Sequence, residues 1–142
     1  LSLEVFGETK PAPAVVDVHH GWCTQKEVAQ IMSGIDVFAE PSDYQGFGLP
    51  LAEAMACGCA GVSTQCGGIN TYATHEQDAL IVPHDDLLEG VSRVIDDAEL
   101  RKRLQAAGPE AIAKIAWPEI GRQWKAYLEN LVRENGQELT LG

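Results

Sequence analysis

The sequence has few basic residues. Ten lysines and arginines are set against twenty-one aspartates and glutamates, which gives a formal net charge of -11. The acidic residues are spread along the chain and do not form a tail. Because such a charge repels phosphate backbones and anionic lipid headgroups, the composition excludes nucleic-acid binding and membrane-surface binding as the main activity.

Long apolar runs are also absent. No stretch approaches the roughly 20 residues of a transmembrane helix, and no basic-then-apolar leader precedes Leu1. We therefore expect no direct membrane insertion and a cytoplasmic location, with any membrane association made by a missing part. The 142 residues suit one domain that folds unaided. The lack of an initiating Met before a strand-like segment predicts a fragment of a longer chain.

The spacing of a metal site is missing as well. Cys57 and Cys59 are too close for a C-x-x-C motif, and neither Cys23 nor Cys66 supplies a second one. The four histidines form no helical pair with a nearby carboxylate; they are His19, His20, His75 and His84. We expect reduced, mostly buried thiols, no metal and no cofactor.

Short apolar runs alternate with helical patterns, which is typical of βαβ units and a parallel sheet. The predicted strands are LSLEVFG, VVDVHH, IDVFAEPS, CAGVST and ALIVP, with GETKPAPA as a loop after the first. IDVFAEPS is so apolar that it predicts a buried parallel strand. The chain after ALIVP is helical, in three segments that read DDLLEGVSRVID, DAELRKRLQAAGPEAIAKI and PEIGRQWKAYLENLVREN.

Three helices carry boundary signals. Thr24 and Glu27 have the spacing of a capping box, and Asp97 is a predicted N-cap. Pro50 and Gly58 are the expected first and last positions of the helix LPLAEAMAC. The residues predicted to pack in the core from the first two helices are Val28, Ile31, Met32, Leu51, Met55 and Ala56.

The segment EPSDYQGFGLPLAEAMACG, from Glu40 to Gly58, carries the functional signal. Ligands of open parallel sheets bind beyond the carboxyl ends of strands, where this segment lies. Gly46 and Gly48 would let the backbone approach a ligand, and the N–H groups around Phe47, Gly48 and Leu49 would form an anion site at a helix start. A diphosphate fits such a site. Glu53, one turn further, would accept hydrogen bonds from ribose hydroxyls.

A second glycine pair follows the next strand. Gly67 and Gly68 predict another close-approach loop on the same rim. The alternatives are a tight turn made by the glycines and a Glu53 that only complements the helix dipole. A nicotinamide fingerprint is disfavoured, because Leu51 stands where the third glycine belongs. A serine hydrolase is disfavoured too, because Ser42 lies outside any G-x-S-x-G motif.

These motifs together resemble the C-terminal domain of group 1 (family 4) retaining glycosyltransferases of the GT-B fold. The resemblance rests on DVFAEPSDYQGFGLPLAEAMACGCAGVST, then GG, then ALIVPHDDLLEGVSRVIDDAELRKRL and AWPEI, in the order of the family. It covers about residues 18–132. It implies an α/β fold: a Rossmann-like open parallel sheet with helices on both faces, in a single nucleotide-sugar-binding domain over 1–142. It also implies that the helix at about 118–135 crosses toward a missing N-terminal acceptor domain.

The resemblance also assigns roles to residues. Glu53 corresponds to the glutamate that binds the ribose hydroxyls. Donor binding is implied for Ser42 at the strand end and for the loop residues Gly46, Phe47, Gly48, Leu49, Gly67 and Gly68. Gln45 occupies the position of the first of two glutamates eight residues apart, which contacts the transferred sugar near the anomeric centre. Gln45 and Glu53 are thus the implied catalytic residues.

Gln45 is a departure from the family pattern. An amide can hydrogen-bond a hydroxyl, but it carries no negative charge to stabilise an oxocarbenium-like transition state. We favour a subfamily that uses glutamine over a weakened transferase. The resemblance predicts the donor-binding half of a metal-independent transferase that moves a sugar from a nucleoside-diphosphate sugar to a glycan or lipid-linked acceptor. The alternative is a non-catalytic nucleotide-sugar-binding or scaffold module.

Overall fold

A computed structural model of the protein describes residues 1–8 and 15–135. The predicted loop GETKPAPA lies mostly outside the described residues. The strands are β1 Glu4–Val5, β2 Val18–His19, β3 Val37–Glu40, β4 Ala60–Thr64 and β5 Leu80–Val82. The helices are α1 Gln25–Met32, α2 Leu49–Ala56, α3 Leu87–Asp96, α4 Ala98–Ala113 and α5 Trp117–Asn135, with 3-10 helices at Gly67–Thr71 and His84–Asp86.

All described strand pairs are parallel, as the βαβ pattern predicts. β4 lies between β3 and β5, with Val37 opposite Ala60 and Val62 opposite Leu80. β1 and β2 form a separate two-stranded parallel sheet. The parallel strands with helices between them make this an α/β fold with open sheets.

Helices cover both faces of the three-stranded sheet. Neighbouring residues of β5 show this, because Leu80 packs in one apolar cluster and Ile81 in another. Successive side chains of a strand point to opposite faces, so the two clusters lie on opposite sides of the sheet. On one face Leu51 of α2 packs with Ile81, and on the other Val94 of α3 packs with Leu80.

A glycine in β4 allows α2 to approach the sheet closely. A Cβ at Gly61 would lie 2.6 Å from Leu51 Cδ1 and 3.4 Å from Met55 Cγ. Both of these side chains are fully buried. The close approach fixes the start of α2 relative to the carboxyl ends of β3 and β4.

The predicted helix boundaries are confirmed at three helices. Thr24 and Glu27 form both hydrogen bonds of the capping box at α1. Asp97 accepts hydrogen bonds from the backbone N–H groups of Glu99 and Leu100 at α4. In α2 a proline occupies the first turn, and Gly58 follows the helix with a φ of 86°.

Three expectations about burial are wrong. Ala56 is exposed, because it lies on the face of α2 that is turned away from the sheet. Ile31 is only half-buried, whereas Met32 is buried and the half-buried Val28 packs against the cluster that contains it, as predicted. Strand β3 is an edge strand among the described pairs, and its apolar residues are half-buried or exposed. Its buried residue is instead Glu40.

The thiols are free, and their burial is mixed. Cys59 and Cys66 are buried, whereas Cys23 and Cys57 are half-buried. Burial raises the pKa of the Cys59 thiol to about 12, and its Sγ donates to the Met32 carbonyl at 2.9 Å. In the described part of the chain, no group of side chains forms a metal cluster and no helix is suited to cross a bilayer.

Helix α5 leaves apolar side chains uncovered. Trp124, Tyr127 and Leu128 are 60%, 58% and 51% exposed. The Trp124 and Tyr127 rings contact each other edge to face at 5.9 Å.

Candidate functional site

The two glycine loops lie against each other at the carboxyl ends of β3 and β4. The Gly68 N–H donates to the Gly46 carbonyl at 2.8 Å. A Cβ at Gly67, whose φ is 50°, would lie 1.4 Å from the Gln45 carbonyl oxygen. The second glycine pair therefore lets the loop after β4 support the loop after β3. The sequence predicted that something approaches the backbone at Gly67 and Gly68 closely, but it did not predict that the loop after β3 does so.

Gly48 connects the first loop to α2. It is the N-cap residue, with a φ of 85° that favours glycine, and no side chain caps the helix. A Cβ there would lie 2.6 Å from Ile69 Cγ1 and 2.8 Å from Tyr72 Oη. The Tyr72 hydroxyl donates to the Gly48 carbonyl at 2.6 Å, and its ring centroid is 5.0 Å from that of Phe47.

The backbone N–H groups at this helix start are free. Within residues 1–8 and 15–135, those of Phe47, Gly48 and Leu49 donate to no protein acceptor. The side chains of Phe47 and Leu49 are exposed. Free N–H groups at the positive end of a helix are suited to bind an anionic oxygen. The anion site at this helix start stays a prediction.

Gly46 differs from the other loop glycines. A Cβ there would meet no described atom within 4 Å, and its φ lies outside the left-handed region. Neither packing nor backbone conformation in the described part of the chain therefore requires a glycine. Close approach of a ligand to this backbone is the explanation that the sequence predicts, and it remains a prediction.

Glu53 is a half-buried carboxylate in the second turn of α2. Across the described residues, no hydrogen bond or ion pair involves its side chain. The helix has no acidic residue in its first turn, where the dipole acts most strongly. Dipole stabilisation is therefore a weak explanation, and the carboxylate oxygens are available to accept hydrogen bonds from a ligand.

Gln45 and Ser42 belong to a polar network with a residue that sequence reasoning missed. Gln45 Nε2 donates to Ser42 Oγ at 3.0 Å, and Ser42 Oγ donates to Glu40 Oε1. The Thr64 hydroxyl donates to the Ser42 carbonyl and so ties the loop to the end of β4. The only sequence signal for Glu40 was a carboxylate at the end of an apolar strand.

We predict that Tyr72→Phe destabilises the protein by about 1 kcal/mol at neutral pH, because the buried Gly48 carbonyl loses the shorter of its two hydrogen bonds and keeps only the Ala52 N–H at 3.2 Å. Burial raises the pKa of the Tyr72 phenol above its ordinary value of about 10. As the pH rises, the unfolded chain releases the phenol proton at a lower pH than the folded chain does. The contribution of the Tyr72 phenol to stability is therefore full below pH 10 and declines above it. Urea unfolding from pH 7 to about pH 11 should therefore show a smaller alkaline loss in the variant. An unchanged alkaline loss would contradict this assignment.

Sequence and structure comparisons identify the family of this chain. Residues 16–111 match the family described as Glycosyl transferases group 1. A D-inositol 3-phosphate glycosyltransferase from Nocardioides sp. is 32% identical over 126 residues, which cover 87% of this chain and 27% of that protein. The chain spans about a quarter of the length of the curated relatives it matches.

Solved structures agree on the fold. Sucrose-phosphate synthase from Thermosynechococcus elongatus is 28% identical with a TM-score of 0.71, over 82% of this chain and 31% of that one. Anabaena HepE in complex with UDP-glucose has a TM-score of 0.68 at 22% identity, over 80% of this chain and 32% of that one. The parallel α/β domain with paired glycine loops is thus of the GT-B class. The chain belongs to the group 1 glycosyltransferases and matches their C-terminal domain, as its motifs predicted.

Proposed function

We propose that this chain is the donor-binding half of a retaining glycosyltransferase. The enzyme would transfer a sugar from a nucleoside-diphosphate sugar to a glycan or lipid-linked acceptor in polysaccharide or glycoconjugate synthesis. One observation supports the proposal most strongly. Among the residues that the structure describes, nothing accepts from the three backbone N–H groups at the start of α2 or donates to the Glu53 carboxylate one turn further. The spacing suits a ligand that has anionic oxygens next to vicinal hydroxyls.

Each part of the donor has a group that would bind it. The N–H groups of Phe47, Gly48 and Leu49 would bind the diphosphate, and Glu53 would accept from the ribose hydroxyls. Gln45 would contact the hydroxyls of the transferred sugar. HepE, whose structure contains UDP-glucose, shares the fold, which supports a nucleotide sugar as the donor.

The activity would need a second domain. We infer that an N-terminal domain of the full-length protein binds the acceptor, and that α5 crosses toward it with its exposed apolar face. The backbone N–H groups of this chain, together with basic side chains from outside it, would neutralise the leaving diphosphate. No metal or other cofactor is therefore invoked. Alone, this chain would bind donor weakly and transfer little. A cytoplasmic location belongs to the same proposal.

Addition of UDP, GDP or dTDP to the nitrogen-15-labelled chain tests the proposed site. We expect one nucleotide to shift the backbone N–H resonances of Phe47, Gly48 and Leu49 in a saturable way, because a bound phosphate accepts their protons. The resonances of α5 residues 121–134 are the internal control and should stay in place. Shifts confined to α5, or no shift with any nucleotide, would contradict the proposal.

Gln45 favours a second candidate, a non-catalytic nucleotide-sugar-binding or scaffold module. An amide cannot supply the negative charge that a carboxylate would place near the anomeric centre. Gln45→Glu in the full-length protein separates the two, with sugar transfer as the measurement. Lower transfer in the variant would mean that the enzyme uses the amide. Transfer that appears only in the variant would favour the non-catalytic module.

A further inference from the structure

A buried carboxylate stands behind the Gln45 amide. Glu40, the last residue of β3, is 7% exposed, and one of its oxygens accepts the Ser42 hydroxyl proton. Ser42 Oγ in turn accepts a proton from Gln45 Nε2 at 3.0 Å. The three side chains thus form a continuous hydrogen-bonded chain that runs from inside the domain to the glycine loop.

The chemistry of these groups fixes which group donates and which accepts in each hydrogen bond. A serine hydroxyl has a single proton, and that of Ser42 goes to Glu40 Oε1. Ser42 Oγ is then left as an acceptor, and it must take its proton from an amide NH2 group. The Gln45 amide therefore places Nε2 on Ser42, and Oε1 is left free to accept a hydrogen bond from a ligand.

The backbone that carries these hydrogen-bonded side chains is held in place by β4 and the loop after it. The Thr64 hydroxyl donates to the Ser42 carbonyl, and Thr64 is buried. The Gln45 carbonyl lies so near Gly67 that a side chain there would overlap it. Because the backbone is fixed, the orientation of the amide is decided by the side-chain hydrogen bonds.

We propose that Glu40 is a positioning residue that acts through Ser42. It holds the Gln45 amide so that Oε1 accepts a hydrogen bond from a hydroxyl of the donor's sugar, which selects sugars with a free hydroxyl at that point. This inference rests on the proposed function of the glycine-loop site. We call the hydrogen-bonded chain from Gln45 through Ser42 to Glu40 the relay. It also places a carboxylate two hydrogen bonds behind Gln45, which strengthens the amide oxygen as an acceptor.

Binding of a nucleotide and of its sugar by the full-length protein separates this role from general folding. The probes are UDP, GDP and dTDP, each alone and as the nucleotide sugar with glucose, which is called the sugar ester below. Binding is measured by calorimetric titration. In Ser42→Ala the relay is cut, and in the isosteric Glu40→Gln its direction is no longer fixed, because an amide can either donate to Ser42 Oγ or accept from it. Both variants should bind the sugar ester about tenfold more weakly, and Glu40→Gln should bind the nucleotide alone as the wild type does.

The double variant Glu40→Gln with Gln45→Glu provides the rescue. It reverses the relay, because Gln at position 40 can donate to Ser42 Oγ, whose proton then goes to Glu at position 45. The formal charge is unchanged. We expect this variant to bind the sugar ester at least about threefold more tightly than Glu40→Gln alone. Equal binding by the two would overturn the relay.

The Gln45 side-chain NH2 resonances give a readout that needs no ligand. Gln45→Glu assigns them by their disappearance, and Ser42→Ala should move them toward the position of solvent-exposed glutamines. If they stay in place, the relay is overturned. If they move but sugar-ester and nucleotide affinities are unchanged, the positioning role is overturned while the donor site stands. If no nucleotide or ester binds to the wild type, the proposed function itself fails, and the positioning role fails with it.

Discussion

Gly67→Ala is expected to destabilise the protein by about 3 kcal/mol, the sum of a steric overlap and an unfavourable backbone conformation. The new Cβ would lie 1.4 Å from the Gln45 carbonyl oxygen, so one of the two loops must move. The backbone at Gly67 also has a φ of 50°. Chemical unfolding followed by circular dichroism measures the loss, and nucleotide binding should fall with it.

Gly58→Ala is the matched control for the backbone contribution. Gly58 has a φ of 86°, but a Cβ there would meet no atom of the described residues within 4 Å. The substitution should cost about 1 to 2 kcal/mol and leave the loops in place. Equal losses of stability in the two variants would show that contact between the loops contributes nothing.

Leu51→Ala is expected to cost about 3 to 4 kcal/mol, because it leaves a cavity between α2 and β4. Leu51 is fully buried, and its Cδ1 lies 2.6 Å from the position that a Cβ of Gly61 would take. The same residue belongs to the cluster that holds Ile69 and Tyr72 beneath the glycine loops. The free energy of unfolding from urea titration gives the cost.

Leu88→Ala provides the control for this change. Leu88 lies in α3 and is 79% exposed, so its truncation should alter the free energy of unfolding by less than about 0.5 kcal/mol. A Leu51→Ala cost as small as that of Leu88→Ala would mean that α2 is not anchored on the sheet through this side chain.

Local patterns predicted the parts of the fold that depend on neighbouring residues. The capping box at Thr24, the N-cap at Asp97 and the end of α2 at Gly58 each depend on residues within one turn. The parallel strands follow from the alternation of short apolar runs with helices. The burial of β3 was not predictable in this way, because it depends on which strands pair beside it.

The candidate site shows the same division. The free N–H groups at α2 follow from the glycine loop and the helix start, both visible in the sequence. The support of Gln45 by Gly67, and the link from Glu40 through Ser42, join side chains that meet only because β3 and β4 end at the same edge. Tertiary contacts of this kind leave no spacing signal in a single sequence.

Calorimetric titration of this chain with UDP, GDP, dTDP and their sugars tests the central claim most directly. The comparison variants are Glu53→Ala and Glu89→Ala, which remove one half-buried carboxylate at the site and one exposed carboxylate on α3. We predict saturable binding of one nucleotide that weakens at least about tenfold in Glu53→Ala and is unchanged in Glu89→Ala. Binding that is equally strong in Glu53→Ala would contradict the assignment of this carboxylate to the donor's ribose.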